Sequence, residues 1–393
     1  MTLRIAFVQP YDDAAWIGGR NYLASLITAA HAVAPSGLKM VLVTGRKVKC
    51  ALQDELPFLE VVRTPLLDRG DPRWIGRQLL RVSHRRRQDP LFERLLRHLR
   101  IDVLSHAEPW VTRLSPIKTL GWLPDFQFLH LPEYWTEQQR ERIAADYRLI
   151  AENCDGVILS SHAALRDLER FAPSANTTRH VLHFVPRAFQ VKAFRTFADL
   201  RRLYELPERY LHLPNQFWAH KNHGLVLQAL ALLRSAGETP TVVCTGGTVD
   251  TRRPDFFELL MRQCRALGLE PNFRVLGVVP YADMRSLMWH ARAVINPSRF
   301  EGWSTTVEEA KWMGKKVLLS DLPVHREQAP ERGSFFDVDD ASALAEAMEA
   351  AAEAEANPQD AASLEKRHAA ATHEFGRRYL DVVESILSTR SSF

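Results

Sequence analysis

Residues 296 to 316 read NPSRFEGWSTTVEEAKWMGKK, and the rest of the chain is interpreted outward from this stretch. Glu301 and Glu309 are eight positions apart, with a buried-strand pattern before them and an amphipathic pattern after them. We therefore predict a strand, a turn and a helix, with carboxylates on both sides of the helix start. The first N–H groups of a helix lack partners and attract anions. The stretch suits a ligand with both phosphates and hydroxyls, such as a sugar nucleotide.

One carboxylate of this stretch has a purely structural explanation. Thr305 and Glu308 have the spacing of a capping box, which stabilises a helix start and needs no ligand. We therefore predict a capping role for Glu308. Glu301 precedes that box, and Glu309 lies on a different helix face because successive residues are about 100° apart. Both remain candidates for ligand binding, and the alternative for Glu309 is a solvated helix residue.

Length and composition indicate a globular protein with two or three domains. The chain has 393 residues, of which 46% are hydrophobic and 25% are charged. No apolar run approaches the length of about 18 residues that a membrane-spanning helix needs, and the N-terminus reads as a buried strand rather than a signal peptide. The four cysteines are widely spaced without a C-x-x-C pair, as is typical of free thiols in a reducing compartment. We therefore predict a cytoplasmic protein.

Residues 69 to 100 carry ten arginines against three acidic residues, although the whole chain has a net charge of only +4. Interleaved apolar residues predict amphipathic helices. Such a segment can rest on an anionic membrane surface at the inner face of the membrane. The alternatives are solvated faces of ordinary helices and, with the least support, a nucleic-acid contact. We expect no nucleic acid as a partner, because no RNA-binding motif or zinc pattern accompanies the arginines.

Strand and helix patterns alternate twice along the chain, on either side of a predicted linker at residues 186 to 208. The strands of the first half lie between residues 3 and 185, and those of the second half between residues 210 and 338. This alternation implies α/β architecture with two parallel sheets covered by helices, and with ligands at the carboxyl ends of the strands. Residues 364 to 388 predict a long final helix.

On these residues the sequence resembles the retaining glycosyltransferases of family 4, the glycosyl transferases group 1, which have the GT-B fold. Their signature is a glutamate followed by glycine, with a second glutamate eight positions after the first. Glu301, Gly302 and Glu309 match it, whereas the usual second glycine is Ser304 here. The resemblance implies that Glu301 lies near the donor sugar and that Glu309 binds the ribose hydroxyls.

The resemblance also implies the domain organisation. GT-B enzymes have two Rossmann-like domains that face each other across a cleft, and a C-terminal helix that crosses back to the first. We expect an acceptor domain over residues 1 to 187 and a nucleotide-sugar donor domain over residues 188 to 365. The crossing helix is then expected within residues 366 to 393.

The segment LPNQFWAHKNH, residues 213 to 223, follows the first predicted strand of the second half. In the family this place holds an arginine and a lysine that bind the donor diphosphate. Lys221 matches the lysine, whereas Asn215 and Gln216 stand where the arginine is expected. Neutral amides donate hydrogen bonds without charge, and His220 can compensate only if it is protonated. The alternative for Lys221 is an exposed lysine.

The resemblance extends to the first half. A glycine-rich loop after the first strand lets the backbone approach the ligand, a histidine at a strand end lies near the reacting centre, and a polar segment at residues 122 to 135 meets the acceptor. A buried structural role is the alternative for His106 and for His130. The expected catalytic residues are Glu301, Lys221 and His106. The expected donor-binding residues are Gly18, Gly19, Asn215, Gln216, Lys221, Gly302, Trp303, Ser304, Thr305, Thr306 and Glu309, and the expected acceptor-binding residues are Asp125, Gln127 and His130.

The function that the resemblance implies is transfer of a hexose from a nucleotide sugar to a glycan or lipid-linked acceptor. Retention of the anomeric configuration and a place in surface polysaccharide biosynthesis come with the family. No cofactor or metal is expected: Asp337 and Asp339 spell a D-x-D, but they precede an alanine-rich helix, where aspartate is an ordinary N-cap. A nucleotide-sugar epimerase of the same fold and a non-catalytic scaffold remain alternatives. The scaffold is disfavoured because Lys221, Glu301 and Glu309 are all present.

Overall fold

The structure is a computed structural model that describes residues 2–9, 17–83, 89–107, 117–237, 239–356 and 360–388. The chain divides into two compact units. The first unit comprises Met1–Phe126, Thr136–Arg187 and Ala371–Phe393, and the second comprises Gln127–Trp135 and Ala188–Ala370. The short segment Gln127–Trp135 therefore belongs to the second unit, although the predicted boundary assigned it to the first.

A parallel sheet of seven strands forms the centre of the first unit. Its strands are β1 (Leu3–Gln9), β2 (Leu38–Thr44), β3 (Glu60–Arg63), β4 (Val103–Ser105), β5 (Lys118–Leu123), β6 (Gly156–Leu159) and β7 (Thr178–Val181). They lie in the order β3-β2-β1-β4-β5-β6-β7. The order reverses between β1 and β4, which is the switch point of a doubly wound sheet. The predicted alternation is confirmed, and β3 is a strand that the sequence patterns did not indicate.

Helices follow most strands of the first unit. They are α1 (Ile17–Val33), α2 (Ala51–Glu55), α3 (Pro72–Ser83), α4 (Pro90–His98), α6 (Glu137–Asn153) and α7 (His162–Phe171), while α5 (Gln127–His130) belongs to the second unit. A complete capping box starts α6, in which Thr136 and Gln139 exchange side-chain and backbone hydrogen bonds of 3.2 and 2.9 Å. Two of the helices, α3 and α4, form the arginine-rich segment.

A second parallel sheet, of six strands, forms the centre of the second unit. Its strands are β8 (Leu211–Leu213), β9 (Val242–Thr245), β10 (Phe273–Gly277), β11 (Ala293–Asn296), β12 (Lys316–Ser320) and β13 (Gly333–Phe336). Their order is β10-β9-β8-β11-β12-β13, so the reversal falls between β8 and β11. Every residue of β8, β9 and β11 is buried, as expected of strands covered by helices on both faces.

The helices of the second unit include one in the predicted linker. They are α8 (Phe197–Tyr204), α9 (His223–Ala236), α10 (Phe256–Ala266), α11 (Tyr281–His290), α12 (Thr305–Trp312), α13 (Pro323–Gln328) and α14 (Ala341–Ala352). The linker prediction is wrong at α8, which Thr196 caps by accepting a hydrogen bond from the amide of Asp199 at 3.2 Å. Its Leu200 is fully buried against the second unit.

The last helix, α15 (Ala361–Ser388), begins in the second unit, and its residues from Ala371 onward belong to the first. Gly376 brings the helix close to the backbone of α1, since a Cβ at that position would lie 2.2 Å from the carbonyl oxygen of Ala29. Phe375 and Tyr379 are buried on either side of it. A single helix therefore contributes to both units, as the predicted crossing element does.

Two further expectations concern the chain as a whole. Within the described ranges, no helix is both long enough and apolar enough to cross a membrane. The four cysteines, all of which are described, are buried and take part in no disulfide.

Candidate functional site

The carboxyl ends of β8 and β11 are neighbours at the reversal point of the second sheet. Val294 of β11 pairs with His212 of β8, so the loops that follow these strands leave the sheet side by side. Asn215 of one loop donates its amide hydrogen to Asn296 Oδ1 at the start of the other, at 3.1 Å. Doubly wound sheets bind ligands at such a point.

Lys221 and Glu301 form an ion pair at this edge of the sheet. Lys221 Nζ lies 2.6 Å from Glu301 Oε1, and the two side chains are 13% and 9% exposed. Ser298 Oγ donates to the same Oε1, also at 2.6 Å. The alternative of an exposed Lys221 is therefore wrong. Glu301 Oε2 accepts no hydrogen bond from the part of the chain that the structure describes, so it is the oxygen available to a ligand.

The charge of Glu301 is maintained by its neighbours. Burial alone would raise the pKa of this carboxyl, but the Lys221 cation, His325 and the Ser298 hydroxyl hold the pKa below its ordinary value. Glu301 is consequently ionised at neutral pH. His325 is fully buried beyond β12, with its Nδ1 at 2.7 Å from the carbonyl oxygen of Ser320, and burial lowers its pKa.

The turn between Glu301 and α12 differs from the prediction at its cap. Ser304 is the N-cap, and its Oγ accepts a hydrogen bond from the amide of Val307 at 3.4 Å. The predicted capping box of Thr305 and Glu308 is wrong, because the helix begins one residue earlier than that box requires. The serine in place of the family's second glycine thus starts the helix.

Glu308 has a structural role of another kind. It is buried and accepts hydrogen bonds from Trp312 Nε1 at 3.0 Å and from Gln328 Nε2 at 3.1 Å. Gln328 also accepts a hydrogen bond from the amide of Ser304 at 3.4 Å. Glu308 therefore joins α12 to α13.

The first turn of α12 leaves amide groups open. The N–H groups of Thr305 and Thr306 donate to no acceptor among the described residues, whereas that of Ser304 is engaged. The Thr306 hydroxyl lies 3.2 Å from the carbonyl oxygen of Pro214 and 3.3 Å from Asn215 Oδ1, which ties α12 to the loop after β8. Of the predicted anion-binding amides, two remain available to a ligand. Gly302 and Trp303 are half-buried in the same turn.

Glu309 meets a tyrosine that the sequence did not single out. Glu309 is 7% exposed, so the alternative of a solvated helix residue is wrong. Its Oε1 accepts a hydrogen bond from the hydroxyl of Tyr281, the first residue of α11. Burial raises the pKa of Glu309, and the Tyr281 hydroxyl and the Arg285 cation offset part of that rise. The available signal for Tyr281 was its place at the start of a helix, four residues after the strand that ends at Gly277.

Gln216 holds a neighbouring loop through its side-chain oxygen. Its Oε1 accepts a hydrogen bond from the amide of Gly247 at 2.7 Å. Gly246 has φ +144°, and a Cβ there would lie 2.3 Å from the carbonyl oxygen of Asn215. The loop after β9 therefore approaches the site so closely that it requires glycine. The Gly-Gly pair after a predicted strand was the signal for this, and sequence reasoning passed over it.

His220 does not supply a positive charge. It is buried, and burial together with the cations of Lys221 and Arg252 keeps its pKa well below the ordinary value. The predicted compensation by a protonated His220 is thus wrong at neutral pH. Arg252, which sequence reasoning missed, places Nη2 at 3.2 Å from His220 Nδ1, and its Nε lies 3.6 Å from Asp250 Oδ1.

The predicted acceptor residues are divided between the units. Asp125 belongs to the first unit, whereas Gln127 and His130 belong to the second. Gln127 Oε1 accepts a hydrogen bond from Arg252 Nη1 at 2.6 Å. The ring of His130 is exposed and lies 5.1 Å from that of Phe300, the residue before Glu301. Gln127 is thus engaged within the second unit, and His130 lies near the turn that carries Glu301.

The predicted residues of the first unit lie near its own switch point. His106 directly follows β4 with φ +57°, and its Nε2 lies 3.1 Å from the Tyr22 hydroxyl. Burial lowers the pKa of His106 to about 3, so the ring is neutral. Gly18 and Gly19 lie in the first turn of α1, which corrects the predicted loop. A Cβ on Gly18 would meet no atom of the described residues within 4 Å, so none of these residues requires glycine there.

Solved structures of similar fold cover almost the whole chain. A glycosyltransferase from Rickettsia africae has a TM-score of 0.68 at 15% identity, with 99% of both chains covered. HepE of Anabaena, in complex with UDP and glucose, has a TM-score of 0.68 at 15% identity and covers 98% of this chain and 100% of its own. At such identities the likeness shows the fold alone. The chain has the GT-B fold of glycosyltransferases.

The second unit carries the family match. Residues 204–369 match the family described as glycosyl transferases group 1. Over 186 residues the chain is 26% identical to the GDP-mannose:cellobiosyl-diphosphopolyprenol alpha-mannosyltransferase of Komagataeibacter xylinus. That match covers 45% of this chain and spans less than half, 46%, of the relative. The match to this family therefore falls within the second unit.

Proposed function

We propose that the protein is a retaining hexosyltransferase of family 4 that uses a nucleotide sugar as donor. The observation that carries the proposal is the Lys221–Glu301 ion pair at the switch point, with Glu309 eight residues further on the helix that follows. The lysine and the open helix amides suit a diphosphate. The two buried carboxylates suit the hydroxyls of a sugar and of a ribose. We assign the donor to the second unit and the acceptor to the first.

Charge develops at two places when the hexose leaves its nucleotide. The diphosphate gains negative charge and the anomeric carbon gains positive charge, and an enzyme accelerates the reaction by stabilising both. In the proposal, the Lys221 cation and the amides of Thr305 and Thr306 stabilise the departing diphosphate. Glu301 Oε2 accepts a hydrogen bond from a hydroxyl of the donor sugar and places negative charge near the anomeric carbon. Glu309 accepts hydrogen bonds from the ribose hydroxyls.

Retention and independence from metals are proposed on the resemblance to family 4. The leaving phosphate takes the acceptor proton on the same face, so the sugar keeps its configuration. Lysine and helix amides then have the role that a metal has in other glycosyltransferases. His106 is proposed near the reacting centre as a neutral hydrogen-bonding group, in accord with its depressed pKa.

Donor and acceptor classes come from the relatives. The name of the Komagataeibacter enzyme gives GDP-mannose as donor and a lipid-linked disaccharide as acceptor. HepE was solved with UDP and glucose. We therefore propose GDP-mannose and UDP-glucose as the first donors to test, and a polyprenol-diphosphate-linked glycan of surface polysaccharide biosynthesis as the acceptor class.

A lipid-linked acceptor favours contact with a membrane, and α3 offers a surface for it. Arg73, Ile75 and Leu79 are exposed there, with Leu79 66% exposed. Arg77 does not contribute to this surface, because it forms a buried ion pair with Asp89 at 2.6 Å. Arg85, Arg86 and Arg87 lie outside the described residues. We propose a cytoplasmic protein that binds the inner face of the membrane peripherally through α3 and α4.

A transfer assay tests the function. The purified protein is incubated with radiolabelled GDP-mannose or UDP-glucose and a synthetic polyprenol-diphosphate disaccharide, and label in the organic phase is counted. We expect transfer from one donor, and NMR of the product should show retention. Conversion of the donor to its epimer without acceptor would indicate the epimerase. Absence of any donor turnover, with binding intact, would indicate the scaffold.

A further inference from the structure

Tyr281 and Glu309 join the starts of two helices of the second unit. Tyr281 is the first residue of α11, after the loop that follows β10, and Glu309 lies in the second turn of α12. The tyrosine hydroxyl donates a hydrogen bond to Glu309 Oε1. Glu309 Oε2 accepts no hydrogen bond within the described part of the chain. One oxygen is therefore fixed and the other remains for a ligand.

A cation lies next to this pair. Arg285 follows Tyr281 by one helical turn, and its guanidinium carbon lies 5.6 Å from the centre of the tyrosine ring. Tyr281 and Arg285 are the described groups of α11 whose charge or hydroxyl acts on Glu309. The charged neighbours within α12 are directed elsewhere: Lys311 donates to the carbonyl oxygen of Gln328 at 2.7 Å, and Glu308 accepts from Trp312 and Gln328.

We propose that Tyr281 is a positioning residue that keeps Glu309 ionised and oriented to accept the ribose hydroxyls of the nucleotide. The inference rests on the proposed function, since it takes Glu309 as the ribose ligand. A protonated carboxylic acid accepts a hydrogen bond from a hydroxyl only through its carbonyl oxygen. An ionised carboxylate accepts hydrogen bonds through both oxygens. A hydrogen bond donated to the ionised form favours that form.

The pH dependence of nucleotide binding follows from this arrangement. Burial raises the pKa of Glu309, so its protonation weakens ribose binding as the pH falls. Removal of the Tyr281 hydroxyl takes away a bond to the ionised form and raises the pKa of Glu309 further. The acid limb of the binding curve should therefore move to higher pH in Tyr281→Phe, and a shift of about one pH unit weakens binding about tenfold on that limb.

The test compares four proteins by calorimetric titration with GDP and UDP between about pH 5 and pH 8. They are the wild type, Tyr281→Phe, Glu309→Gln and Tyr204→Phe. The last is a matched control, because the Tyr204 hydroxyl donates to another carboxylate of the second unit, Asp283 Oδ2, at 2.7 Å. We expect Tyr281→Phe to shift the acid limb upward, Glu309→Gln to bind more weakly without that limb, and Tyr204→Phe to follow the wild type.

A ligand without ribose hydroxyls separates positioning from general damage. With a 2′,3′-dideoxynucleoside diphosphate, Tyr281→Phe and wild type should bind equally. If Tyr281→Phe follows the wild-type curve for GDP and UDP while Glu309→Gln is weakened, the positioning role is wrong and the ribose assignment stands. If Glu309→Gln also binds as the wild type does, the ribose assignment fails and the role of Tyr281 fails with it.

Discussion

Lys221 Nζ lies 2.6 Å from Glu301 Oε1, and this bond joins residues 80 positions apart in the sequence. It links the loop after β8 to the turn after β11 at the point where the sheet order reverses. Each charge compensates the other in a site that excludes most water. In the proposed function, a diphosphate bound beside Lys221 would share this cation with Glu301.

The ion pair should be visible in stability. Lys221→Ala leaves the Glu301 carboxylate mostly buried without its cation, and we expect a loss of roughly 3 kcal/mol in the free energy of unfolding. Glu301→Gln in the same background should restore most of that loss, because it removes the uncompensated charge. Urea unfolding of both single variants and the double variant measures this coupling. Strictly additive effects would show that the pair contributes nothing.

The same pair predicts how stability depends on pH. The pKa of Glu301 is lower in the folded protein than in an unfolded chain. A lowered pKa contributes stability that is fully present above the unfolded pKa of about 4.3 and is lost as the pH falls through the folded pKa. The difference in Tm between the wild type and Glu301→Gln should therefore shrink on acidification below about pH 4. A difference that stays constant there would contradict the lowered pKa.

Substitutions of the two signature glutamates should have different effects on the kinetics of transfer. Glu301→Gln should lower kcat, since its carboxylate is assigned to the reacting sugar. Glu309→Gln should mainly raise KM for the donor, because ribose is remote from the bond that breaks. Steady-state kinetics with a saturating acceptor distinguishes the two results.

Glu308→Gln is the matched control for both variants. It alters hydrogen bonds to Trp312 and Gln328, and we expect a stability loss of about 1–3 kcal/mol with unchanged kinetics. Loss of turnover in Glu308→Gln, with Glu309→Gln silent, would mean that the ribose assignment belongs one residue earlier.

Membrane contact through α3 should depend on salt and on exposed leucine. The protein should float with anionic vesicles at low ionic strength and dissociate at high ionic strength, since each basic residue near the surface contributes about 1 kcal/mol. Leu79→Gln should reduce flotation. Leu232→Gln, at a position 44% exposed on α9, is the control. Equal flotation of these two variants, or none for the wild type, would leave α3 as a solvated face.

Elements with strong periodic patterns were predictable from sequence. The long final helix predicted over residues 364 to 388 is α15, which the structure places at Ala361–Ser388. The short strand β3 escaped prediction because its apolar signal is only two valines long and none of its four residues is fully buried. The helix α8 escaped because its eight residues bury only Leu200, within an arginine-rich stretch.

The candidate site was predictable as a list of residues but not as a set of bonds. Glu301, Glu309 and Lys221 could be selected from their motifs. Their hydrogen-bond partners depend on which strands become neighbours, and local sequence patterns do not predict the strand order of a sheet. The Tyr281 hydroxyl reaches Glu309 only because the order of β10, β9, β8 and β11 places their carboxyl ends along one edge.

Direct titration tests whether the second unit binds a nucleoside diphosphate through Lys221, as we propose. GDP, UDP, dTDP and ADP are titrated into the wild type and into the Lys221→Ala, Glu301→Gln double variant, which keeps the buried charges balanced. We expect at least one nucleotide to bind the wild type, and the double variant to bind it more weakly by roughly 1.5–3 kcal/mol while remaining folded. Equal affinity of the two proteins, or no binding of any of the four nucleotides to the folded wild type, would contradict it.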